Sequence, residues 1–194
     1  QFGMVSGEQV LMARAGGRPV VYVYEWFQDY PVGIVVPDTI AAETVDDLRG
    51  LRVGIPGRFG ASYSGLIALL AANDMEERDI QLEPIGYVAP DVLCAGRVDA
   101  SVIYVNNEPL QIQQRADAGQ CDDVTAVRVL RVADDANMVS NGIVTSEALI
   151  DGNPELVREA VAAFDAGLRQ TIQNPALAYL ISLDYVENLP INDA

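Results

Sequence analysis

The chain is predicted to be an α/β protein, and three observations predict it. Short apolar runs alternate with segments of helical period through the middle of the chain. A glycine-rich turn, from Gly54 to Gly65, joins a strand to a helix. β-Branched runs bounded by glycine and proline recur, as in Pro19-Val-Val-Tyr-Val-Tyr and Val32-Gly-Ile-Val-Val.

Taken in order, residues 2–5 read as a strand. Ser6 caps a helix to about residue 15, with Gln9 placed as in a capping box, and Gly16-Gly17 ends it. Residues 19–24 and 32–36 are strands, and Pro37-Asp38 breaks the second. Thr44 caps a short helix over 45–49. Strands follow at 52–55, 80–85, 100–105 and 127–132, with helices at 62–73, 90–95 and 109–118 between them. That alternation predicts a parallel sheet covered by helices. Residues 140–144 form a further strand, and Ser146 starts a short helix. Asn153-Pro154 and Asn174-Pro175 each join an N-cap to a first-turn proline, opening helices to about 172 and 185. The opening Gln-Phe-Gly-Met-Val-Ser-Gly reads like the middle of a fold, and Asn192-Asp193-Ala194 carries no stop signal. The chain therefore reads as a fragment or a processed form.

The 194 residues, half of them hydrophobic, suffice for one domain or two small lobes. No apolar run reaches the ~20 residues of a membrane span. A net charge of −16 argues against nucleic acid or an anionic membrane as partner. All twelve basic residues are arginine, so the chain has no lysine and no histidine. It can form no Schiff base, has no imidazole to act as base or ligand, and has no Walker lysine. No catalytic residue, metal site or cofactor is expected. Cys94 and Cys121 lack metal-site spacing. The default for Cys94 is a buried thiol, with a disulfide as the alternative in an exported protein.

Four segments can carry ligand chemistry. In the first, Gly54, Gly57 and Gly60 are spaced at three, which fits neither a dinucleotide fingerprint nor a P-loop. What remains is a helix head, Gly60-Ala61-Ser62-Tyr63, whose free backbone N–H groups and hydroxyls face a strand end, with Arg58 and Phe59 alongside. In the second, Tyr104-Val-Asn106-Asn107-Glu108 leaves a strand and enters a proline-started helix. Two amides and a carboxylate there serve equally as a helix cap and as a reader of ring donors. The third runs from Tyr22 to Tyr30 and holds the one tryptophan, Trp26. Alternation sends Tyr22, Tyr24 and Trp26 to one face, as core or as a stacking wall. The fourth is the corner Ser6-Gly7-Glu8-Gln9, whose plain reading is a cap. The pairs Asp46-Asp47, Asp122-Asp123 and Asp134-Asp135 read as solvated caps.

Phe2-Gly-Met-Val-Ser-Gly-Glu, Leu48-Arg-Gly-Leu-Arg-Val-Gly-Ile-Pro-Gly, Val98-Asp-Ala-Ser-Val-Ile-Tyr-Val-Asn-Asn-Glu-Pro and Asn153-Pro-Glu-Leu-Val-Arg, in that order, resemble extracytoplasmic solute-binding proteins. The branch is the one related to fungal thiamine-pyrimidine synthase, which includes binders of thiamine pyrimidine precursors and of riboflavin; sulfonate and taurine binders are more distant. The resemblance implies a type II periplasmic binding protein fold, with two α/β lobes, two crossovers and a cleft. Carried over, residues 1–43 plus 126–194 form the first lobe and 44–125 the second, with crossovers near 36–43 and 127–135. The first lobe lacks the N-terminal strand–helix–strand unit of the family. The fungal enzymes use a histidine and a cysteine-rich iron site, which this chain lacks, so the resemblance implies binding without catalysis. It implies an ABC permease as partner and an extracytoplasmic location. The ligand implied first is a thiamine pyrimidine precursor, with riboflavin and then sulfonate or taurine as alternatives. Glu108, Asn106 and Asn107 would read ring donors, and Tyr104, Tyr63 and Trp26 would stack. The Gly60 to Tyr63 helix head, beside Arg58 and Phe59, and Ser6-Gly7-Glu8 would face each other across the cleft.

Overall fold

A computed structural model describes residues 1–186. The expectations that reach past residue 186, for the end of the first lobe and for Asn192-Asp193-Ala194, lie outside the described residues. The chain begins β1 (Phe2–Ser6), α1 (Gly7–Ala15), β2 (Val20–Glu25), β3 (Val32–Pro37), β4 (Arg52–Ile55) and α2 (Gly60–Ala72). It continues with β5 (Gln81–Pro84), α3 (Ala89–Cys94), β6 (Ala100–Tyr104), α4 (Glu108–Asp117), β7 (Val127–Arg131) and α5 (Val132–Asp135). Last come β8 (Asn141–Ser146), α6 (Glu147–Gly152), α7 (Pro154–Gln173) and α8 (Pro175–Ser182).

These strands form two sheets. The smaller has the order β1-β8-β2, with both outer strands antiparallel to β8. The larger has the order β5-β4-β6-β3-β7. Strands β5, β4 and β6 run parallel, while β3 is antiparallel to both β6 and β7. The sheet is therefore mixed, not parallel as its sequence rhythm predicts. The reason lies in the connections. Strands β4 to β6 are joined through helices, which forces them parallel. Strand β3 arrives from the smaller sheet and is free to run the other way.

Every residue of β3 is buried, because β3 lies inside the larger sheet with helices on both faces. Val32, Ile34 and Val36 point to one core, with Leu66, Leu69 and Leu70 of α2. Val35 points to the other, with Leu93, Ile103 and Ile112. The chain changes sheets over 26–31 and again over 132–140. Strands β3 and β7 thus pair inside the larger sheet.

The cysteines correct a second expectation. Cys94 and Cys121 form a disulfide with their Cα atoms 4.2 Å apart. Cys94 ends α3 and Cys121 follows α4, and both pack into the core over Val35 and Ile103. That approach is made by the return of α4 across the sheet, which no local pattern announces. The caps behave as expected. Ser146, Asn153 and Asn174 accept from the N–H groups of Leu149, Leu156 and Leu177 at 3.2, 3.1 and 3.1 Å.

Candidate functional site

The ends of β1 and β8 in the smaller sheet meet the start of β3, the head of α2 and the end of β6 in the larger. Ser6 ends β1, and its N–H donates to Gln9 Oε1 at 3.2 Å, which turns the chain into α1. Gly7 then packs so closely on Val139 that a Cβ there would overlap it. Its N–H is spent on the carbonyls of Val139 and Ser140, at 3.0 and 3.2 Å. Glu8, in the first turn of α1, accepts at Oε1 from the Ser6 hydroxyl and from Tyr30 Oη, the latter at 3.2 Å. The single Tyr30 hydroxyl proton is shared between Glu8 and the carbonyl of Ala61, in the first turn of α2, at 3.0 Å. Asn141, at the start of β8, donates through Nδ2 to Tyr104 Oη at 3.2 Å. Glu8, Tyr30, Ala61, Tyr104 and Asn141 therefore form one junction between the sheets.

The local sequence explains each placement. Gly60 has φ +64°, a left-handed turn that glycine enters without strain, and it starts α2 directly beneath Gln9. Tyr30 lies over Gly65, where an added Cβ would stand 2.8 Å from its ring. The Tyr30 and Tyr22 phenols stay protonated. Burial first, and the Glu8 carboxylate second, hold the Tyr30 hydroxyl far above its ordinary range. Burial, then Glu25 and Glu8, push Tyr22 up to about 12. Both act as hydrogen-bond donors: Tyr22 Oη reaches the carbonyl of Ser140 at 2.9 Å. Beside the junction lies a cavity of about 500 Å³ between α1, Tyr22 and the segment 137–139, with Glu8 in its wall.

The predicted site residues divide. Ser6, Gly7, Glu8, Gly60, Ala61 and Tyr104 stand at the junction. Phe59 is 60% exposed at the head of α2, and Ser62 follows it in the first turn. Glu108 accepts from the N–H of Tyr104 at 3.0 Å through Oε2, so one of its oxygens closes the β6–α4 turn. Asn107 accepts from Gln111 Nε2 at 2.8 Å, and Asn106 is exposed. Arg58 and Tyr63 are drawn together at Glu77, at 2.9 and 2.7 Å, and make no hydrogen bond to the junction among the described residues. The hydrogen bond from Tyr63, then that from Arg58, lowers the Glu77 pKa. Trp26 packs edge-on to Phe164 of α7, with centroids 5.9 Å apart. Only its backbone N–H, which donates to the carbonyl of Asn141 at 3.0 Å, touches the junction.

The aromatic run corrects a third expectation. A β-bulge shifts the register between Tyr22 and Tyr24, which face Val144 and Ile143 on β8. The bulge turns Tyr22 toward α1 and Tyr24 toward α7, where it lies 5.5 Å from Phe164, so the two do not share a face. Tyr30, Ser140 and Asn141 are junction residues that the sequence reading passes over. Tyr30 stood inside the marked aromatic run, while Ser140 and Asn141 carry no local signal.

Two sheets linked by two passages of the chain, with polar groups meeting between them, define the type II periplasmic binding protein fold. The chain superposes on the aliphatic sulphonate-binding protein SsuA of Escherichia coli with a TM-score of 0.72 at 22% identity, covering 93% of this chain and 59% of that one. The SsuA of Xanthomonas axonopodis pv. citri gives 0.68 at 21%, covering 97% and 62%. By sequence, the chain belongs to the family described as NMT1/THI5 like, matched over residues 1–178. It is 38% identical over 192 residues to the riboflavin-binding protein RibY of Chloroflexus aurantiacus, covering 99% of this chain and 52% of that protein. It is 23% identical over 180 residues to 4-amino-5-hydroxymethyl-2-methylpyrimidine phosphate synthase of Legionella pneumophila, covering 92% and 54%. The chain thus spans about half the length of the curated relatives it matches.

Proposed function

We propose that the chain holds the ligand for an extracytoplasmic solute-binding protein that serves an ABC-type importer, and that the ligand is a flat nitrogen heterocycle. The observation that carries this reading is the junction itself. Glu8 of α1 and Asn141 of β8 meet Tyr30 of the passage 26–31, Ala61 of α2 and Tyr104 of β6 beside a cavity sized for a small molecule. Each sheet with its helices would then be a lobe, and the passages 26–31 and 132–140 would flex as the lobes close.

Further observations support binding without turnover. The chain has no histidine or lysine, and its two cysteines are joined, so no imidazole, amine or free thiol is at hand as base or nucleophile. The disulfide suits an oxidising compartment outside the cytoplasm. Among the described residues no helix is long and apolar enough to cross a membrane.

Isoalloxazine rings come first among ligands because the 38%-identical relative is named for riboflavin. Aminopyrimidines come second, on the weaker likeness at 23%, which reverses the order that the sequence resemblance implied. Riboflavin fluorescence provides the test. Saturable quenching with a Kd near or below about 1 µM, worth about 8 kcal/mol, is expected on adding the protein. No quenching at protein concentrations near 0.1 mM would remove riboflavin from the reading.

A further inference from the structure

Resting on that reading, we propose that Glu8 determines specificity: its free carboxylate oxygen accepts from a ligand N–H, and its charge rejects sulfonates and other anions. Glu8 Oε1 is taken by two hydroxyls, from Ser6 and Tyr30. Oε2 is shut off from solvent and has no donor within the protein. A buried carboxylate oxygen without a donor is costly, and a ligand donor would remove that cost. An acid in the first turn of α1 also suits the helix dipole, but the dipole needs only charge near the helix end and leaves the burial of Oε2 unexplained.

The surroundings agree. The cavity of about 500 Å³ at Glu8 is walled by Leu11, Tyr22, Met138 and Val139, and Glu8 is its one ionisable carboxylate. Mostly apolar walls with one charged acceptor fit a ring that carries an N–H on one edge. A second unpartnered polar atom, Ser140 Oγ, belongs to the residue beside Val139, which is fully buried. No arginine bonds to this group among the described residues, and the nearest by sequence to the α2 head, Arg58, is paired with Glu77. A sulfonate would therefore meet a carboxylate with no counter-charge, in a chain of net charge −16. Glu108 is less suited to this role, since it does not line the cavity and has no buried oxygen left without a donor.

Calorimetric titration of the wild type and of Glu8→Gln with riboflavin, N3-methylriboflavin and taurine tests the proposal. Riboflavin should bind Glu8→Gln about tenfold or more weakly than wild type. N3-methylriboflavin, which lacks the imide N–H, should bind the wild type similarly weakly and lose little more in the variant. Taurine should give no heat. If riboflavin binds both proteins equally, or the methylated ring binds wild type as tightly as riboflavin, Glu8 has no such role while the heterocycle reading stands. Taurine binding by the wild type would overturn the rejection of anions. If the wild type takes an aminopyrimidine in place of riboflavin, the dimethylamino analogue replaces the methylated flavin. No binding of either ring overturns the inference and the reading together. If Glu8→Gln fails to fold, the comparison of the two flavins on wild type decides alone.

Discussion

Tyr30 is 1% exposed, and its hydroxyl divides between the Ala61 carbonyl and the Glu8 carboxylate. It therefore ties the head of α1 in one sheet to the head of α2 in the other. Tyr30→Phe keeps the ring over Gly65 and removes only the hydroxyl. Two acceptors then lose a donor inside the protein, which costs roughly 1–3 kcal/mol. Denaturant unfolding should show that loss, with an unchanged slope; an unchanged midpoint would mean that the hydroxyl is not used as drawn. At this scale the sequence is legible in part. Ser6 and Gln9 formed the predicted box, and Gly60 took the left-handed turn that its motif suggests. Tyr30 looks locally like any aromatic ahead of a proline. Its value comes from partners 22 and 31 positions away, which no local pattern contains.

The elements followed their sequence signals closely, because caps and prolines act within one turn of the chain. The Asn-Pro pairs open α7 and α8 where expected. What failed was pairing between elements. The bulge in β2 is one inserted residue, and it reverses the faces of every side chain beyond it, so Tyr24 and Trp26 go to Phe164 while Tyr22 stays with Glu8. The disulfide joins residues 27 positions apart across the face that carries α3 and α4. A loop of that length gives about 3.5 kcal/mol in the chain-entropy view. Cys94→Ala/Cys121→Ala should be less stable than wild type by roughly 2–4 kcal/mol, read by thermal or denaturant unfolding. A loss well under about 1 kcal/mol would show that the α3–α4 core holds without the bond.

For the whole molecule, the α/β class and the two-lobed family fold were legible in four ordered motifs. The mixed sheet was not, since β3 takes its direction from the other sheet and not from its neighbours in sequence. The candidate site was half legible. Both helix heads and Tyr104 were marked, while Asn141, Ser140 and Tyr30 arrive through tertiary folding. The central claim is that a flat heterocycle is held in the cavity beside the junction, walled by Leu11, Tyr22, Met138 and Val139, against Glu8. A crystal structure of the protein with riboflavin tests it most directly. The ring is expected in that cavity, with an N–H within hydrogen-bond distance of Glu8 Oε2. A ring bound elsewhere, such as on α7 and α8, or a cavity that stays empty at saturating riboflavin, would contradict it.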